Sequence, residues 1–199
     1  MRRELDYFQI ETSYGGNQDW FIDRWMRDGG CGAETACDVS VYFAMYRGIS
    51  QIYPFRLPPT RADYVAFSEI MRPYLRPRFT GIDRLDIYIE GFSGYLHDRG
   101  IEGIALRPWE GERSYEKTRD VVRQQIDAGM PIPCLTLKHK ALSMDFYVWH
   151  WYLLTGYEDF DGACAVKAVT YGNWRWLDLC TLWDTGYERR GGLVLLSEC

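Results

Sequence analysis

Apolar positions recur at helical spacing up to about residue 128 and at strand spacing after it. From Cys31 to about Tyr46, the small or apolar residues Ala33, Ala36, Cys37, Ser40, Val41, Ala44 and Met45 return at three- and four-residue steps. That spacing predicts a helix, and a stripe of small side chains predicts a close neighbour. Thr60 is placed to cap a second helix with Tyr64, Phe67, Ile70 and Met71 on one face. Ile82, Leu85, Ile89, Phe92 and Leu96 mark an amphipathic helix that Gly100 ends. Ser114 caps another that turns Tyr115, Val122 and Ile126 inward and stops at Gly129.

Beyond that point, residues 132–137, 149–157, 163–171, 174–179 and 192–197 read as strands. Asp159-Phe160-Asp161-Gly162 supplies a hairpin turn. The first thirty residues read as irregular, with a turn at Tyr14-Gly15-Gly16-Asn17-Gln18 and with Trp20, Phe21 and Trp25 as apolar anchors. Helices followed by strands predict an α+β domain. Residues 1–199 read as one domain, with a Pro- and Arg-rich helical insertion at about 50–82 holding Pro54, Pro58, Pro59, Pro73 and Pro77.

Composition narrows the function classes. A 47% hydrophobic and 16% aromatic content argues for a packed core with aromatic-lined clefts, against disorder. The net charge of −5 speaks against a general nucleic-acid binder, whose affinity comes from Lys and Arg on phosphates. Within this acidic chain, Arg56, Arg61, Arg72, Arg76 and Arg78 outnumber Asp63 and Glu69 in their segment, forming either a solvated face or a substrate or partner surface. No apolar run reaches the length of a signal peptide or a membrane span, so the expectation is a cytoplasmic protein without membrane contact. The cysteines at 31, 37, 134, 164, 180 and 199 include no CxxC pair and read as reduced thiols. His97, His139 and His150 show no zinc spacing, and neither metal nor cofactor is expected.

The candidate chemistry starts at Cys31, in Asp28-Gly29-Gly30-Cys31-Gly32-Ala33. A helix N-terminus offers unpaired N–H groups and partial positive charge, which favour thiolate over thiol. A cysteine nucleophile needs a base, and the base needs a group to orient it. His139, between Lys138 and Lys140, reads as a solvated loop residue, and His97 as a helix-end residue beside Asp98. His150 opens Trp149-His150-Trp151-Tyr152-Leu153-Leu154-Thr155-Gly156-Tyr157, apolar on both faces, so a rigid inner strand holds it. It is either the base or a core histidine bonded to a neighbouring strand. Asn173, at the turn Thr170-Tyr171-Gly172-Asn173, is the first choice as orienter, and Asp178 the second, where a cap is the competing role. The Cys31 N–H and the Gln18 side chain, with Asn17 beside it, are candidate oxyanion donors, the alternative for both amides being plain turn residues. Glu34 and Asp38 read as solvated residues or N-terminal dipole partners of the first helix, not as acids in the reaction.

Gly15-Gly16-Asn17-Gln18-Asp19-Trp20-Phe21, the Cys31 turn, the His150 strand and Tyr171-Gly172-Asn173 together resemble the papain-like cysteine peptidase superfamily, with the nearest likeness to bacterial peptidases that process double-glycine leaders. The resemblance implies a papain-like fold, with a central Cys-bearing helix packed on a C-terminal antiparallel sheet. It also implies hydrolysis of a peptide or amide bond by Cys31, His150 and Asn173, with Gln18 in the oxyanion hole. Gln18 stands further upstream of the cysteine than the family's glutamine, whose usual place is taken here by Trp25. An acyl transferase on the same fold, or a peptide-binding protein without catalysis, are the competing readings.

Overall fold

The computed structural model describes residues 1–198. Its strands are β1 (Arg2–Glu4), β2 (Gln9–Ile10), β3 (Ser13–Tyr14), β4 (Ile104–Glu110), β5 (Ile132–Thr136), β6 (His150–Phe160), β7 (Ala163–Thr170), β8 (Asn173–Asp178) and β9 (Gly192–Glu198). Its helices are α1 (Arg24–Gly29), α2 (Cys31–Tyr46), α3 (Arg61–Met71), α4 (Leu85–Asp98), α5 (Tyr115–Asp127) and α6 (Leu179–Trp183). Seven strands form one sheet in the order β4-β9-β5-β6-β7-β8, with β1 beside β6, while β2 and β3 form a separate pair. Every pairing in both sheets is antiparallel. The chain is therefore a mixed α/β protein built on an antiparallel sheet. No helix among the described residues is long and apolar enough to cross a membrane.

Local chemistry sets the element ends. Thr60, Ser114 and Asp178 cap α3, α5 and α6 through side-chain oxygens that accept backbone N–H bonds. The β6–β7 turn places Asp161 at φ 45° and Gly162 at φ 85°, the left-handed pair a two-residue hairpin requires. The β7–β8 turn does the same with Tyr171 at φ 50° and Gly172 at φ 69°.

Several elements depart from the sequence reading, among them α6 and the β2–β3 pair, which it does not predict. Asp23 caps α1 by accepting the Met26 N–H, so a short helix precedes Cys31 where irregular chain is expected. The strands β1 and β4 join the sheet from the N-terminal two-thirds, so helices and strands are less segregated than the pattern predicts. Pro108 lies inside β4, which is tolerated because β4 is an edge strand.

Burial brings further corrections. Residues 31–44 of α2 are all buried, Glu34 and Asp38 included, because β6, α3 and the N-terminal segment enclose the helix. Ile70 is exposed on α3, whereas Tyr64, Phe67 and Met71 are buried. Trp25 projects into solvent instead of anchoring the N-terminal segment, a role kept by Phe21. His139 is buried, not solvated: its Nδ1 accepts the Ala141 N–H, so Nε2 carries the proton and donates to the Thr181 carbonyl at 2.8 Å. Cys31, Cys37, Cys134, Cys164 and Cys180 are free thiols. The expectation for Cys199 lies outside the described residues.

Candidate functional site

The corner between α1 and α2 delivers Cys31. Gly30 is the residue before α2, and a Cβ there would run into the Met26 carbonyl oxygen, so glycine is required for the two helices to meet so closely. At Gly32 a Cβ would stand 3.1 Å from Ile82 Cδ1 and 3.6 Å from the Trp151 ring, which shows how tightly this end of α2 sits on the strand that follows His150. Cys31 is itself buried. Burial pushes its thiol up to about 11, while the nearby N–H groups of Trp151, Gly32 and Cys31 pull toward the thiolate.

His150 is the first residue of β6 and lines the same cleft as Cys31, a cavity of about 630 Å³. Its imidazole stacks on the Tyr171 ring at 5.1 Å with 7° between the planes. Trp149, the residue before His150, and Tyr171, stacked on its ring, hold left-handed φ values of 53° and 50°. Such values are costly for bulky residues and persist where the surroundings enforce them. Here the Trp149 N–H donates to the Leu137 carbonyl at 2.8 Å, and the Tyr171 carbonyl accepts from the Asn17 amide at 3.3 Å. Burial lowers His150 to about 4, so the ring is neutral at pH 7.

The group bonded to the imidazole is Thr170, whose Oγ1 lies 2.7 Å from His150 Nε2. Asn173 pairs with Thr170 across the hairpin, but its exposed side chain turns back to the Tyr171 carbonyl at 3.4 Å and lines a neighbouring cavity. Asp178 caps α6 through the Thr181 N–H and hydroxyl. Neither residue is a hydrogen-bond partner of His150. The sequence reading missed Thr170 because a threonine at a strand end is unremarkable. Its usable signal was position, directly before the turn that packs on His150.

Gln18 does line the Cys31 cleft, on a 3₁₀ turn spanning Gln18–Trp20. Its Nε2 donates to the Arg27 carbonyl at 2.7 Å, which fixes the amide and leaves its second N–H uncommitted. Its buried Oε1 has no partner. Asn17 caps that turn by accepting the Asp19 N–H at 2.8 Å.

Two carboxyls lie under the thiol on α2, at the third and seventh positions after Cys31. Asp38 accepts hydrogen bonds from the Tyr7 hydroxyl at 2.7 Å, the Tyr64 hydroxyl at 2.6 Å and the Gly16 N–H at 3.0 Å. Burial nonetheless raises it to about 6. Glu34 has an unpartnered Oε2, and burial together with the Asp38 charge holds its carboxyl well above the usual range. Asp38, with three donors, is the member that ionises, and Glu34 keeps its proton.

Among the described residues no cluster of His, Cys, Asp and Glu is arranged to hold a metal ion. Comparison of the chain with models of protein families, with curated proteins and with solved structures yields no match.

Proposed function

We propose that the chain is a thiol-dependent hydrolase of peptide or amide bonds with a papain-like arrangement. Cys31 acts as nucleophile and His150 as base and then acid. The observation that carries this reading is the meeting of Cys31 and His150 in one cleft, the first at a helix N-terminus and the second on a rigid inner strand. In this reading Nε2 carries the proton toward Thr170 Oγ1, 2.7 Å away, and Nδ1 is the lone pair that takes the thiol proton. The Cys31 N–H and the uncommitted Gln18 N–H are the donors for the developing oxyanion.

The resting pair is neutral, since the thiol titrates at about 11 and the imidazole at about 4. The sulfur therefore loses its proton as it attacks, by general-base catalysis, rather than resting as a thiolate beside an imidazolium. The acyl-enzyme then passes its acyl group to water, activated by the same imidazole.

A library of fluorogenic peptide amides tests this directly. The parent is expected to release fluorophore from a subset of the library and Cys31→Ser to release none. Equal release by both, or none by the parent, contradicts the reading. Added hydroxylamine divides hydrolase from transferase: a hydrolase loses little of its acyl group to a dilute amine acceptor, whereas a transferase passes on most of it.

A further inference from the structure

The Cys31 cleft does not end at the thiol. A second cavity of about 690 Å³ shares Trp25, Pro77 and Phe79 with it, so the two adjoin along these side chains as a groove beside Cys31. Trp25 is 65% exposed and Phe79 is 98% exposed. Phe146 and Trp149, also exposed, line the cleft itself. Large aromatic rings left in solvent along one groove mark a surface that binds apolar groups.

Ion pairing along the groove is uneven. Four carboxylates line the two cavities, and three arginines pair with them. Asp28 pairs with Arg24 at 3.6 Å and Asp83 with Arg189 at 2.8 Å. Asp23 and Glu69 both pair with Arg72, at 3.2 and 3.4 Å. Arg76 and Arg78 line the same groove, and among the described residues neither has a carboxylate within ion-pair distance. Pro77, between them, fixes one backbone dihedral of the segment that carries both guanidiniums. The groove thus holds two guanidiniums without an ion-pair partner beside exposed aromatics, in a chain of net charge −5.

We propose that this groove is the subsite for the part of a peptide substrate next to the scissile bond, and that it selects a segment combining Glu or Asp with bulky apolar side chains. The proposal rests on the thiol-hydrolase reading, whose substrate it specifies. Arg76 and Arg78 take the carboxylates, and Trp25 and Phe79 take the apolar side chains.

The test is fluorescence anisotropy with Cys31→Ala protein, which binds without turnover, and a labelled peptide alternating glutamate and phenylalanine. Binding is expected to weaken about tenfold or more in Arg76→Ser/Arg78→Ser, with the glutamine-for-glutamate peptide, and at high salt. Trp25→Ala is expected to weaken the glutamate and glutamine peptides alike. No binding, equal binding of both peptides, an unchanged double variant, or tighter binding of oligouridylate would each overturn the proposal. Because the assay needs no reactive thiol, its outcome is separate from that of the hydrolase reading. An inert Cys31 with intact peptide binding removes only the chemistry, and a reactive Cys31 without binding removes only the subsite.

Discussion

At the scale of single residues, the hydroxyl of Thr170 decides how His150 is held. A threonine hydroxyl is a neutral partner, so it fixes the ring without contributing the charge that would stabilise an imidazolium. That agrees with an imidazole depressed to about 4 by burial, with no carboxylate bonded to it. Thr170→Val keeps the side-chain shape and removes the bond. It is expected to slow acylation of Cys31 by a nitrophenyl ester at neutral pH by roughly tenfold, the rate equivalent of a lost hydrogen bond of about 1–1.5 kcal/mol. Asn173→Ala, whose amide points to the Tyr171 carbonyl, is expected to stay within about twofold of the parent. A stopped-flow burst measurement reads both, and the reverse order would restore Asn173 as orienter. Cys31, His150 and Gln18 were legible as a set, because a glycine-flanked cysteine, an inner-strand histidine and a loop glutamine each carry a local signature. Thr170 was not, since its role comes from a hairpin that packs the β7–β8 turn on an imidazole twenty residues earlier in the chain.

At the scale of elements, α2 carries the thiol at its start and two buried carboxyls along its length. Its burial on all sides explains why a stripe-based reading misplaced Glu34 and Asp38. The stripe was real, but the rest of the helix has a second set of neighbours, Tyr7, Tyr64 and the Gly16 N–H, whose role depends on tertiary contact. In contrast, α4 and α5 keep one polar face, and their sequence pattern described them well. α1 was hidden because a helix of only six residues shows no periodicity. The raised carboxyls give α2 a pH signature. Folded Glu34 holds a proton that the unfolded chain releases as pH rises through the ordinary glutamate range, so its contribution to stability falls as pH rises. Glu34→Gln removes that loss. Urea denaturation is expected to find the variant more stable than the parent at pH 8, with the gap closing near pH 4. His150 titrates alike in both proteins and cancels in the difference. A variant less stable at pH 8, or a gap that ignores pH, would mean that Glu34 is ionised in the fold.

At the scale of the whole molecule, the antiparallel sheet presents His150 at one end of β6, and α2 brings Cys31 to that same end. The segment from Arg72 to Asp83 borders the opening and ties back through the Ile82 carbonyl to Trp151 Nε1 at 2.6 Å and through Asp83 to Arg189. The region read as an insertion is thus part of the cleft's rim, and α3 within it reaches the core through Tyr64. The central claim is that His150 serves Cys31 as a general base from a neutral resting pair. The rate of Cys31 alkylation by iodoacetamide against pH, followed by intact mass in the parent and in His150→Ala, tests it most directly. The account predicts a parent profile that rises as the imidazole loses its proton near pH 4, holds a plateau through neutral pH and climbs again toward about 11. In His150→Ala the plateau disappears and only the alkaline rise remains. Superimposable profiles for the two proteins would contradict it.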